Sequence, residues 1–382
     1  MQQRPAQRLV GLCCAVLFIG GCTTAVQMNE TPPSAPASSS VLANRRELTT
    51  PRAVHHATVL QDSRVLFTGG CTLPGCEGFE AGRATELYNP KTQRFEPGPM
   101  MTEPRASGTA TLLVDGRVLL TGGYPGEGQP PSSTAEVFDP GTGGFTPVGS
   151  MAAPRAGQTA TRLPDGRVLI AGGVDETGQA LTSTEMYDPD TDTFVSGPKL
   201  TAPRSAHAAV AVGDNVVVVG GIATGAALAS TDVLANGQWT AGPRMLVPRV
   251  KHAAAALPGG RILVIGGSTS VEGRQKLAST ELVDLSSAKV EFGPDLSEGE
   301  YKLDGTVAVL PDGRIAVAGG THVDLYDPDQ NRFSTLEQPV MERRSFRTAT
   351  FLRPSRLLVA GGYDDAIAPT KEALLVQLPA PR

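Results

Sequence analysis

Arg117-Val-Leu-Leu-Thr-Gly-Gly123 ends an apolar run on a glycine pair, and the same shape recurs six more times along the chain. The copies read RVLFTGG (64–70), RVLIAGG (167–173), VVVVGG (216–221), RILVIGG (261–267), RIAVAGG (314–320) and RLLVAGG (356–362). The pairs lie 42 to 53 residues apart. A fixed period of that size marks an array of supersecondary units that bury their apolar faces against one another.

Around each run the same parts recur. A turn precedes most runs, as in VDGR (114–117), PDGR (164–167), PGGR (258–261) and PDGR (311–314). Asp-Gly between extended stretches predicts a two-residue hairpin with both turn positions at positive φ. After the glycine pair comes a loop, then a stretch with an acid and usually an aromatic: TELYNP (85–90), AEVFDP (135–140), TEMYDP (184–189), TELVDL (280–285) and VDLYDP (323–328). Seven residues beyond the aromatic stands another, pairing Tyr88 with Phe95, Phe138 with Phe145, Tyr187 with Phe194 and Tyr326 with Phe333; in the fourth unit Trp239 takes that place. Four short strands per repeat predict one blade of a β-propeller.

Gly-Gly, then Tyr, then a closing aromatic in a four-stranded unit resembles the kelch repeat, over nearly all of residues 44–382. The resemblance implies an all-β, seven-bladed kelch-type propeller, in which the glycine pair lets blades approach closely. The seventh unit has room for only one strand after Gly362, Glu372 to Leu378. Such a blade would leave an open edge. Residues Val41 to Leu48 are therefore expected to supply the missing outermost strand of the last blade and close the ring.

Composition agrees with a folded, turn-rich chain: 44 Gly and 31 Pro in 382 residues, with 40% hydrophobic. A balance of 33 basic and 38 acidic residues, net -5, argues against nucleic acid as a partner. Residues 1–21 place Arg4 and Arg8 before an apolar run too short to span a bilayer, the order of a secretory leader. Ile19-Gly20-Gly21-Cys22 resembles the lipobox of bacterial lipoproteins, which implies lipidation of Cys22; Thr23 after it implies outer-membrane sorting. Residues 22–43, rich in Ser, Pro and Thr, read as a tether without a core of its own. The expectation is a monomer held at the bacterial outer membrane, periplasmic or surface-exposed, touching the membrane through its anchor only.

Candidate binding residues come from position in the repeat. Seventeen residues before the glycine pair (sixteen in the fourth unit) stands a cation: Arg52, Arg105, Arg155, Arg204, Arg249, Lys302 and Arg344. An acid opens each third strand: Glu86, Glu136, Glu185, Asp232, Glu281, Asp324 and Glu372. The cations form either a ring that receives an anion at the channel entrance or architectural partners of the acids. The loops between glycine pair and acid hold 15, 12, 11, 10, 13, 3 and 9 residues, and all lie on one face. Variation on one face of a repeat array marks it for binding. The three-residue sixth loop predicts a notch between the fifth and seventh, flanked by Arg274, Lys276, Tyr363, Asp364 and Asp365. His55, His207 and His252 share one repeat position without metal-ligand spacing, so no metal and no cofactor are expected. Cys71 and Cys76, in one loop of an exported chain, are expected to form a disulfide.

The resemblance brings in two function classes. Most residues suit a recognition or scaffolding module for an envelope protein or a glycan. Kelch propellers also include carbohydrate-active enzymes, a sialic-acid mutarotase and galactose-oxidase-like copper enzymes. The latter need a Tyr cross-linked to Cys, a second Tyr and two His; Tyr124, Tyr301 and Tyr363 show no cysteine partner in the sequence. No catalytic residue is assigned, and binding is favoured over catalysis.

Overall fold

The seven apolar runs form the second strand of each blade, and their burial explains their unbroken hydrophobicity. Val65–Thr68, Val118–Thr121 and Val168–Ala171 are buried at every position, because each strand is covered on both faces by neighbouring blades. In the second blade, Val118 and Leu120 pack with Leu60, Leu66 and Met101 of the first, while Leu119 packs with Val168 and Ile170 of the third. The core is thus a series of wedges between blades. The computed structural model describes residues 45–76, 82–337 and 339–380.

Seven four-stranded antiparallel sheets follow one another around a central channel. Blade 1 runs His56–Val59, Val65–Thr68, Glu86–Asn89 and Arg94–Pro97 from channel to rim, and blades 2 to 6 repeat this order. Blade 4 adds a small hairpin, Ile222–Ala223 with Ala226–Ala227, in the loop after its glycine pair. In blade 7 the outermost strand is Arg45–Glu47, which pairs with Glu372–Gln377 in the register Arg45 to Leu374 and Glu47 to Glu372. The ring therefore closes with a strand from the start of the propeller, as expected. Leu48, buried at 2%, packs behind it among Leu352, Leu358 and Leu375. Leader, tether and Cys22 lie outside the described residues.

The repeated aromatics are cross-strand core pairs, with ring centroids 4.8 Å apart for Tyr88–Phe95 and 5.0 Å for Tyr187–Phe194. Trp239 sits opposite Leu234. The Asp-Gly hairpins of blades 2, 3 and 6 differ from the expected two-residue form, whereas PGGR (258–261) does place both glycines at positive φ (76° and 77°) and blade 4 turns on two residues, Gly213 and Asp214. Leu113 pairs across three residues with Arg117, and only Gly116 has positive φ (92°). This is a turn followed by a left-handed residue. Asp115 keeps an ordinary φ because its carboxylate accepts the Arg117 backbone N–H (3.0 Å) and pairs with that guanidinium. Blades 1, 3 and 6 repeat the arrangement with Asp62, Asp165 and Asp312.

Candidate functional site: the loop-bearing face

Six of the seven blade junctions on this face share one hydrogen bond. The second glycine N–H of one blade donates to a backbone carbonyl at the start of the next: Gly70 to Arg105, Gly123 to Arg155, Gly173 to Arg204, Gly221 to Arg249, Gly267 to Glu300 and Gly362 to Arg52. Glycine is required here. A Cβ on Gly69 would lie 2.4 Å from the Arg105 carbonyl oxygen, and one on Gly70 2.3 Å from that of Ala53. Two residues after each of these six carbonyls the chain passes through the left-handed region, at Val54, Ser107, Gly157, Ala206, Lys251 and Lys302, and Phe346 does the same two residues after Arg344 at the junction between blades 6 and 7, with φ from 48° to 64°. Val54, Ser107, Gly157, Ala206, Lys251 and Phe346 line a channel of about 310 Å³ whose walls are mainly Ala, Thr and Gly.

Five of the sequence-predicted cations are architectural. Arg52–Glu86 (2.8 Å), Arg105–Glu136 (3.0 Å), Arg155–Glu185 (2.7 Å), Arg204–Asp232 (3.0 Å) and Arg249–Glu281 (3.0 Å) are buried ion pairs within single blades. Each guanidinium also donates to the first glycine carbonyl of its blade, as Arg204 does to Gly220 (2.8 Å). The acids in turn accept backbone N–H groups from the incoming segment: Glu185 from Ala152 and Ala153, Glu281 from Leu246 and Val247. Burial pulls the guanidinium groups of Arg52, Arg155, Arg204 and Arg249 below their ordinary range, while the paired acids oppose this. These side chains hold the junctions together and do not reach the channel.

Lys302 and Arg344 depart from that pattern. In blade 6 the arginine position is held by Glu300, whose carbonyl accepts from Gly267 as Arg249 accepts from Gly221. An extra turn, Leu303–Thr306, separates it from the innermost strand, so counting back from the glycine pair lands two residues late, on Lys302. The Lys302 ammonium donates to the Tyr363 hydroxyl (2.7 Å) and lies 4.9–5.4 Å from the rings of Tyr301, Phe346 and Tyr363. Lys251 joins them by donating to the Tyr301 hydroxyl (3.2 Å). Arg344 pairs with exposed Glu342, while Glu372 is taken by Arg45 (3.5 Å).

Blade 6 also bends its glycine pair differently. Gly319 and Gly320 lack the positive φ of the other doublets, and no N–H of Gly320 donates to Arg344 among the described residues. Glu298 accepts from Thr321 and pairs with Arg343 across the short sixth loop. Glu300 is buried, and its Oε2 has no hydrogen-bond partner among the described residues. Burial, followed by the charges of Asp324 and Glu298, raises its carboxyl to about 8. Arg347, buried in blade 7, donates to the Gly320 carbonyl (3.2 Å) and is lowered by burial to about 10. Sequence reasoning missed Glu300, Arg347, Lys251, Tyr301 and Phe346. Aligning PRAVH (51–55), PRVKH (248–252) and GEYKL (299–303) instead of counting from the glycines exposes the substitution.

Of the notch residues, Arg274, Lys276 and Asp365 are exposed, Tyr363 is buried, and Asp364 caps its own loop by accepting the N–H groups of Ala366 and Ala368 (3.0 Å each). His55, His207 and His252 occupy three different junctions, their rings against Gly361, Gly172 and Gly220 of the preceding blades. Burial holds all three well toward the neutral form, His252 at about 3. Cys71 is disulfide-bonded; the side chain of Cys76 lies outside the described residues.

A Kelch motif profile matches residues 158–201, which is blade 3. With that unit repeated in all seven blades, the family is decided. The protein is a kelch-repeat β-propeller. No curated protein matches it. Among solved structures, the kelch propeller is similar to a fungal alcohol oxidase of the AA5 family in complex with copper, with a TM-score of 0.69 and 17% identity over 88% of this chain and 76% of the oxidase. In all, 1058 solved chains match, so likeness at this level reports the kelch propeller architecture and leaves its use to the site.

Proposed function

We propose that the protein is a lipid-anchored envelope module that recognises a protein or glycan partner with the loop-bearing face of its propeller. The observation that carries this reading is where the repeat loses its symmetry. Five arginines are spent on architecture, whereas around blades 5 to 7 the same face gathers Lys251, Lys302, Tyr301, Phe346 and Tyr363 beside exposed Arg274 and Lys276. Aromatic and cationic side chains concentrated at one sector, the rings packed beneath and Arg274 and Lys276 exposed, suit recognition. The lipobox-like Ile19-Gly20-Gly21-Cys22 supports anchoring.

The fungal relative's alcohol oxidation with copper finds no assembled donor set here. The three repeat histidines lie in separate junctions, Cys71 is in a disulfide, and no group of three His, Cys, Asp or Glu could hold a metal among the described residues. The test is crosslinking and capture from the native envelope, comparing the wild type with Arg274→Glu/Lys276→Glu/Asp365→Lys. A partner captured by wild type and lost by the variant is the expected result. Capture unaffected by the three changes would remove the notch from the reading, and sugar anomerisation or oxidation by the purified protein would overturn the binding role.

A further inference from the structure

The face opposite the variable loops has a chemistry of its own. Glu372 follows the seventh loop, and Gln377 at the far end of that strand donates to the Ser355 carbonyl (3.0 Å) in the turn 352–356. Because Arg45 pairs with Leu374 and Glu47 with Glu372, the chain runs from the turn-bearing face towards the loop face as it joins the ring. Arg45, the first described residue, therefore stands at the turn-bearing end of its strand.

At that point the turn-bearing face opens into a groove of about 800 Å³ between blades 6, 7 and 1. Lys91, Arg353 and Arg356 line it, and none of the three forms an ion pair among the described residues. Val59 and Val309, exposed at 37% and 55%, supply apolar surface between them, with Phe351 behind. Arg46 of the closing strand donates to Gln93, another lining residue. Across the same face the turns of blades 2 and 3 carry Asp139, Asp188 and Asp190. The turns of blades 7 and 1 are thus cationic and partly apolar, while neighbouring blade 6 carries Asp312, Asp327 and Asp329 on the same face and blades 2 and 3 set Arg117 and Arg167 among their acids.

We infer that this groove seats the propeller on an anionic phospholipid surface next to its anchor, so that the membrane is touched by more than the acyl chains. The inference rests on the reading of Cys22 as the anchor. Guanidinium groups match phosphate oxygens with paired donors, and exposed valines beside them meet the headgroup boundary at little cost. Each cation held at an anionic surface strengthens partitioning about fivefold. Twenty-two residues separate Cys22 from Arg45, a reach of at most about 75 Å, so the anchor permits the contact without forcing it. Seated this way, the propeller turns its variable loops away from the bilayer.

The test uses the chain from residue 22 with Cys22→Ser, whose ring is complete from residue 45, in co-sedimentation with phosphatidylglycerol or phosphatidylcholine vesicles. Salt-sensitive binding to phosphatidylglycerol alone is expected. Lys91→Glu/Arg353→Glu/Arg356→Glu should weaken it at least about 50-fold, and Arg274→Glu/Lys276→Glu on the other face should leave it unchanged. If the triple reversal melts early, Lys91→Gln/Arg353→Gln should still lower partitioning more than about tenfold. Equal binding to both lipids, no binding to either, or a folded groove variant that binds like wild type overturns the inference. Mass spectrometry of Cys22 in chain taken from envelopes reads the anchor separately, so either idea can fail alone.

Discussion

At the scale of the residue, the protein depends on charges that never meet solvent. Removing one partner of a buried pair strands the other, which costs about 3–5 kcal/mol. Arg204→Met, which leaves Asp232 unpaired in the interior, is expected to lower stability by that amount in urea unfolding. Arg344→Met, whose partner Glu342 is exposed, should cost less than about 1 kcal/mol. Glu300 provides a pH signature. Its folded pKa of about 8 lies above the ordinary value of 4.5, so its share of stability is complete below about 4.5 and disappears as pH rises through 8. The buried histidines work in the opposite sense. His252, lowered from 6.5 to about 3, favours the fold above 6.5 and withdraws that support as the medium is acidified. Glu300→Gln should therefore raise the urea midpoint at pH 9 and give no gain at pH 5. Equal gains at both would mean that the carboxyl is already ionised in the fold. The sequence displayed the alternation of cation and acid but concealed the exchange at blade 6, because two added residues keep a lysine where counting expects one.

At the scale of the element, the glycine pair is a structural joint whose demands differ from blade to blade. Gly221 has φ 97°, and a Cβ there would lie 2.7 Å from both His207 Cβ and the Ser205 carbonyl oxygen. At Gly320 the φ is not left-handed and the nearest obstacles are the carboxylate ends of Glu298 and Glu300. Gly221→Ala should accordingly lower the melting temperature by several degrees, and Gly320→Ala by clearly less; a reversed order would contradict the description of blade 6. Strands and blades were legible in the sequence because each was written seven times. The hairpin geometry was not read, although its determinant is local: Asp-Gly serves two kinds of turn, and the Arg that follows in VDGR (114–117) and PDGR (164–167 and 311–314) makes the contact to the carboxylate that selects between them.

At the scale of the whole molecule, closure is a single strand's work. Arg45–Glu47 and Leu48 give blade 7 its outer edge and part of its core. A chain starting at Pro51 should lose several kcal/mol relative to one starting at Ala43, since truncating one buried leucine alone costs about 2–5 kcal/mol. Superimposable urea curves for the two would sink the closure argument. That closure was legible came from a missing strand at one end and a spare one at the other. The groove on the turn-bearing face was not legible, because Lys91, Arg353 and Arg356 become neighbours only when blades 7 and 1 meet.

The pairing of Glu47 with Glu372 spans 325 positions. During synthesis the first of these emerges long before the second, so the closing strand must wait while nearly the whole chain is made. A contact this distant in sequence forms late, and until it does the outer edge of Glu372–Gln377 in the last blade stands open to any extended chain nearby. Closing the ring is thus a search by two ends of one chain for each other, and anything that shields an unpaired strand would matter to this fold at that moment more than at any other.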